Sequence, residues 1–135
     1  MNAIENDAII GAMHEERIKD IIEEFFNVKI CKTSPLHPMD FLDENGNYYE
    51  IKSRRIKKNT YSTTMVSENK IKFAKQNNKV KHYFIFAFDD GDYFWEYNND
   101  CLLFFGMGGR TDRGSIEKRQ YCFIPVQHLK LLNID

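Results

Sequence analysis

The chain has 135 residues, of which 42% are apolar and 29% charged, with a formal net charge of −1. That length and balance fit one domain over residues 1–135 with a sizeable core, and exclude a disordered or collagen-like chain. No apolar run approaches a membrane span, and the N-terminus is too acidic and interrupted for a secretory leader. The expectation is therefore a cytoplasmic, nucleoid or nuclear protein, neither secreted nor membrane-bound.

Residues 3–27 read as a long helix. Ile4, Ala8, Gly11, Ile18, Ile22 and Phe25 recur at three-and-four spacing and form one stripe. Residues 28–34 alternate like a strand, and Pro35 and Pro38 enforce an extended connector. A hairpin follows, with strands near 39–43 and 47–54. Residues 56–64 are basic and polar and read as a loop. Ser67 is placed as the N-cap of a helix over 68–77, with Ile71 and Ala74 inward. His82 to Phe88 is a nearly continuous apolar run ending in Asp89-Asp90-Gly91-Asp92, which predicts a buried central strand. Residues 92–98 return beside it. Residues 106–115 read as a glycine-rich loop, 121–126 as a late strand and 126–133 as a short terminal helix. The bulky aromatics Tyr83, Phe84, Phe86, Phe88, Phe94 and Trp95 are assigned to the sheet core, and Leu102 to Phe105 to the core or a dimer face. This order predicts an α/β protein, a mixed sheet with helices packed on it.

Cys31, Cys101 and Cys122 are far apart and contain no Cys-x-x-Cys pair. They read as reduced core thiols and not as a zinc site. The near-neutral net charge hides a polar distribution. Residues 1–27 carry seven acids against Arg17 and Lys19, whereas residues 52–81 carry ten bases against Glu68 alone. Such a segment presents a local field to a polyanion, or is simply a solvated lysine-rich face.

The basic run begins where the most informative motif ends. Residues 40–52 read as two strands joined by a turn, with Asp40 on the first and Glu50-Ile51-Lys52 on the second. Side chains alternate along a strand, so Glu50 and Lys52 share a face. If Glu44-Asn45-Gly46 is a three-residue loop with Gly46 left-handed, Asp43 pairs with Asn47 and Asp40 lies opposite Glu50. A two-residue Asn-Gly turn would shift the pairing by one and send Asp40 to the other face. Asp43 is then the alternative ligand. Two carboxylates and an ammonium on one patch suit a site that holds a hard divalent cation and hydrolyses a phosphodiester. Glu15 falls within the apolar stripe of the first helix, so a partner is expected for it: a cation, a lysine or a water-filled cleft, or else an ion pair with Lys52 or an arginine at the edge of the core.

Taken together, Gly11-x-x-x-Glu15, Asp40, Glu50-Ile51-Lys52-Ser53-Arg54-Arg55, Lys72-Phe73-Ala74-Lys75 and the late Phe123-Ile124-Pro125 resemble the PD-(D/E)XK nuclease superfamily. The likeness is greatest to the small Holliday-junction resolvases, although Met39, not proline, precedes Asp40. The resemblance implies a restriction-endonuclease-like core in α-β-β-β-α-β-β order. It implies that Asp40, Glu50 and the Ile51 carbonyl bind Mg²⁺, with Mn²⁺ able to substitute. It further implies that Lys52 acts on the attacking water and that Glu15 assists the metal site. Arg54, Arg55, Lys57, Lys58 and Lys70, with Arg110 and Arg113 from the glycine-rich loop, are the expected phosphate contacts. The implied protein is a homodimeric, Mg²⁺-dependent endonuclease on branched or duplex DNA. The alternatives are a restriction, homing or RNA-directed nuclease, or a non-catalytic binding module of the same fold.

Overall fold

The computed structural model describes residues 3–98, 104–108 and 119–133. Helix α1 (Ala3–Phe26) leads into strands β1 (Ile30–Lys32), β2 (Phe41–Asp43) and β3 (Tyr48–Ser53). A 3-10 turn (Lys58–Thr60) then precedes β4 (Thr63–Ser67) and helix α2 (Glu68–Gln76). Strands β5 (His82–Phe88), β6 (Gly91–Glu96), β7 (Phe104–Gly108) and β8 (Arg119–Pro125) follow, then a second 3-10 turn (Val126–His128) and β9 (Lys130–Leu131). Six strands form a mixed central sheet in the order β1-β2-β3-β5-β6-β9, and β4-β8-β7 form a second, antiparallel sheet. β3 and β5 run parallel, and β4 and α2 lie in the crossover between them. The protein is thus α/β with a mixed sheet between two layers, the architecture the element order predicts.

β5 explains the layering. All seven of its residues are buried, because both faces of the sheet are covered. Tyr83, Ile85 and Ala87 join Ile18, Ile22, Phe41 and Tyr49 on the α1 side. Phe84, Phe86 and Phe88 join Ile71, Val66, Cys122 and Ile124 on the side of α2 and the small sheet. The six aromatics assigned to the core are all buried. α1 stops at Asn27, whose φ of +55° gives the left-handed end typical of helix termini. Among the described residues, no helix is long and apolar enough to cross a membrane.

Several segments depart from the sequence reading. Thr63–Ser67 is a strand rather than loop and cap, because it pairs with β8 across more than fifty residues of chain. Ser67 does occupy the position before α2, but its hydroxyl donates to Asn69 Oδ1 instead of capping the helix backbone. The expected terminal helix is one 3-10 turn followed by β9, which zips onto β6 and buries Leu129 and Leu132. Gly106–Gly108 belongs to β7 and not to a loop. A Cβ on Gly106 would stand 3.0 Å from the Phe123 ring, so the glycine there allows close packing. Residues 109–118, which carry Arg110 and Arg113, lie outside the described residues, as do Leu102, Leu103 and Cys101. Cys122 is a core thiol, whereas Cys31 is exposed, since it faces outward from the edge strand β1.

Candidate active site

The β2–β3 turn is the three-residue form. Gly46 has φ +88°, Asp43 N donates to Asn47 O at 2.9 Å, and Phe41 pairs with Tyr49. Asp43 builds this turn. Its carboxylate accepts from the backbone N–H groups of Asn45 (2.8 Å) and Asn47 (3.0 Å) and from the Tyr49 hydroxyl (2.8 Å). Those three donors use up the alternative ligand. Continuing the register puts Asp40 across from Glu50, and Asp40 N donates to Tyr49 O at 3.1 Å. Asp40 Oδ2 accepts from Ile51 N at 3.0 Å, so its side chain lies against the Glu50–Ile51 backbone.

The loop that delivers Asp40 is pinned from several directions. Thr33 N and Thr33 Oγ1 both donate to Asp40 O, at 2.9 and 3.0 Å. Met39 N donates to His37 Nδ1 at 3.0 Å, and the His37 ring stacks on Tyr48 of β3 with Phe73 of α2 edge-on. Met39 is 1% exposed. Leu36, at the tip of this loop, is 96% exposed. A backbone held this way presents its carboxylate without further ordering cost.

Glu50 is 2% exposed and lies on the α2 side of the sheet. Burial, and then the hydrogen bond and charge of Asp40, push its carboxyl up to about 8, against the opposing pull of Lys52 and Lys70. Lys70, in the first turn of α2, brings its Nζ to 2.9 Å from Glu50 Oε2 and also donates to Pro38 O. Lys70 is thus the ionic neighbour of that buried oxygen, and the described residues supply no other donor to it. A shielded carboxylate with an unfilled lone pair beside a second carboxylate suits a hard divalent cation. Among the described residues no three His, Cys, Asp or Glu side chains converge. The donors that fit are therefore two carboxylates, completed by main-chain oxygen and water, a set that Mg²⁺ accepts readily.

The other predicted residues divide. Glu15 is not buried in the stripe: its side chain is 40% exposed, and its partner is a lysine, as expected, but Lys32 (2.9 Å) and neither Lys52 nor an arginine. Lys32, opposite Phe41 in the β1–β2 register, is raised by Glu15 and to a lesser degree by Asp40. Glu15 is thus linked to Asp40 only by the weak electrostatic influence of Asp40 on Lys32. That lysine was passed over in the sequence; the signal for it was its place in a strand preceding the Asp40 loop. Arg54 turns inward. Its guanidinium donates to Met65 O in β4, and burial pulls its pKa down. It ties β3 to β4 and is not poised for a phosphate. Arg55 and Lys57 are exposed, and Lys58 lies over the Tyr93 ring at 4.9 Å. A cleft of about 400 Å³ at the end of β3 and β5 is lined by His14, Arg17, Arg55, Asp89 and Asp92, with Arg17 gripping Asp92 through two bonds of 2.7 and 3.1 Å. The structure therefore gathers Asp40, Glu50, Lys52 and Lys70 on one face and leaves Glu15 at one remove.

The model of a family described as "Phage putative PDDEXK endonuclease" matches residues 10–132, which takes in every one of these side chains. Neither curated proteins nor solved structures give a match.

Proposed function

This chain belongs to the family of phage PD-(D/E)XK endonucleases, and we propose that within it the protein is a Mg²⁺-dependent endodeoxyribonuclease of the junction-resolving type. Asp40, Glu50 and the main-chain oxygen of Ile51 are the residues that would hold the ion, with Mn²⁺ as a substitute. Bound there, the ion supplies Lewis acidity toward a phosphoryl oxygen and lowers the pKa of water. The Lys52 ammonium orients the attacking water and offsets the charge that builds on the phosphorane. Glu15 acts only at a distance, through its ion pair with Lys32, whose charge Asp40 feels weakly. Arg55, Lys57 and Lys58 supply phosphate contacts that give affinity without reading sequence. Symmetric cutting of two strands needs two active sites, hence a homodimer.

The observation that supports this reading is the meeting of Asp40 with a Glu50 that is 2% exposed, on the face that also carries Lys52 and Lys70. Supercoiled plasmid, a four-way junction and a folded RNA, each with Mg²⁺ or EDTA, test it. The expected result is cutting of the junction with Mg²⁺ alone. Fixed bands from linear DNA would instead assign a restriction-type enzyme, and RNA cleavage an RNA-directed one. Binding without cleavage that survives Lys52→Ala would assign a non-catalytic module. Full activity in Glu50→Ala would end the assignment of this site.

A further inference from the structure

We propose that Lys70 is a built-in counter-ion that occupies the cation position at Glu50 until a divalent metal displaces it. The proposal rests on the metal-site reading above and adds a competitor to it.

The placement of Lys70 is unusual on local grounds. It is the third residue of α2, where an ammonium opposes the positive end of the helix dipole. The packing of the helix does not require a lysine there, since Ile71 and Ala74 are the side chains it buries. What compensates is outside the helix. The Lys70 side chain is 16% exposed, and its Nζ stands 2.9 Å from Glu50 Oε2 while donating to the Pro38 carbonyl. Pro38 lies just ahead of Asp40, so this one ammonium bridges the chain segments that deliver both carboxylates.

The contact has the character of one that can exchange. Lysine is a compact point charge on a flexible stem, without the fixed fork of arginine. No other donor among the described residues serves Oε2, so Lys70 is all that an incoming cation has to replace at that oxygen. A metal ligated by Oε2 and an ammonium 2.9 Å from the same oxygen would crowd two positive charges together. Each therefore excludes the other. Lys52 has a different relation to Glu50: it lies two residues along the same strand and acts through its charge. Three consequences follow from the exchange. The site is held together without metal, its affinity for metal is set lower than two carboxylates alone would give, and metal entry frees an ammonium next to the bound ion.

Calorimetric titration of the full chain with Mn²⁺, without nucleic acid, compares wild type, Lys70→Met and Glu50→Gln. Lys70→Met should bind Mn²⁺ about tenfold more tightly, the factor expected when a charge-assisted contact no longer has to be broken. Binding by Lys70→Met alone would support the same conclusion. Equal or weaker binding by Lys70→Met, with wild-type binding abolished in Glu50→Gln, overturns the role of Lys70 and leaves the metal site standing. No binding to either wild type or Lys70→Met removes the metal site and the proposal with it. Should Lys70→Met fail to fold, ¹⁵N-lysine NMR of the wild type decides. The Lys70 ammonium, identified by its loss in Lys70→Arg, should exchange slowly without metal and rapidly at saturating Mg²⁺. An unchanged signal at saturation overturns the proposal.

Discussion

A carboxyl group shielded from water and set beside a second carboxylate resists ionisation, and Glu50 is such a group, pushed up to about 8. Below that value the folded protein holds a proton that the unfolded chain has already released, and the contact with Lys70 becomes a full charge pair as that proton leaves. Between roughly pH 4.5 and 8 the native state binds more protons, so the stability of the metal-free protein falls as pH rises through that window. Denaturant melts at a series of pH values should show this slope, and Glu50→Gln should flatten it. Persistence of the full slope in Glu50→Gln would place its origin elsewhere. The same residues bear on activity. Asp40→Asn, Glu50→Gln and Lys52→Met should each lower Mg²⁺-dependent cleavage by about a thousandfold or more, the scale of losing a charge that stabilises the transition state. Circular dichroism should show a retained fold, since each change keeps side-chain size. Arg54 differs from these in kind. Its guanidinium is committed to Met65 O, so Arg54→Ala should act on stability through the β3–β4 tie before it acts on binding.

At the scale of elements, the hairpin is the part on which the site depends. Gly46 holds φ +88°, and a Cβ there would meet Val80 Cγ1 at an ordinary 3.5 Å, so the cost of Gly46→Ala is backbone strain and not a clash. About 1 kcal/mol is the expected loss, or a few degrees in melting temperature. Metal-dependent cleavage should fall further than that loss predicts, because any slip of register turns Asp40 away from Glu50. A melting temperature unchanged from wild type would show that the turn is not under this constraint. This hairpin was legible in the sequence because its information is local: a glycine at the turn, alternation on either side, and a register that follows from loop length. β5 was legible for a similar reason, as a run apolar on both faces. β4, β7 and β9 were not, because each is a strand by virtue of a partner distant in sequence. The misreading of Glu15 has a different physical cause. Helical periodicity says which face of α1 turns inward, but not how far along the helix the sheet extends. Ile18 and Ile22 are fully buried, while Met13 is 67% exposed and Ile9 45%. Glu15 sits at that boundary, where a carboxylate reaches water and Lys32 together.

For the molecule as a whole, the distribution of charge matters more than its sum. The sheet separates two unlike faces. α1 brings Glu15, Glu16, Asp20, Glu23 and Glu24 to one side, and α2 brings Lys70, Lys72 and Lys75 to the other, where Asp40, Glu50 and Lys52 also lie. A chain with a net charge of −1 is thereby polarised across its thickness, with its two site carboxylates on the basic side. A polyanion approaching in solution is turned toward that side, and the effect weakens as salt screens it. Binding to a duplex or junction, measured in EDTA so that chemistry is silent, should therefore weaken steeply with salt. Each phosphate contact contributes about 0.9 to the slope of log K against log salt for B-form DNA. The double variant Arg55→Gln/Lys57→Gln should lower that slope by about 1.8 if both side chains meet phosphates. Lys19→Gln supplies the control, since Lys19 lies on α1 and leans toward Glu23 at 3.8 Å; it should leave the slope unchanged. Should Lys19→Gln flatten the salt dependence and the double variant not, nucleic acid would lie on the α1 face, on the far side of the sheet from Asp40 and Glu50, and these carboxylates could not be the ones that cut it.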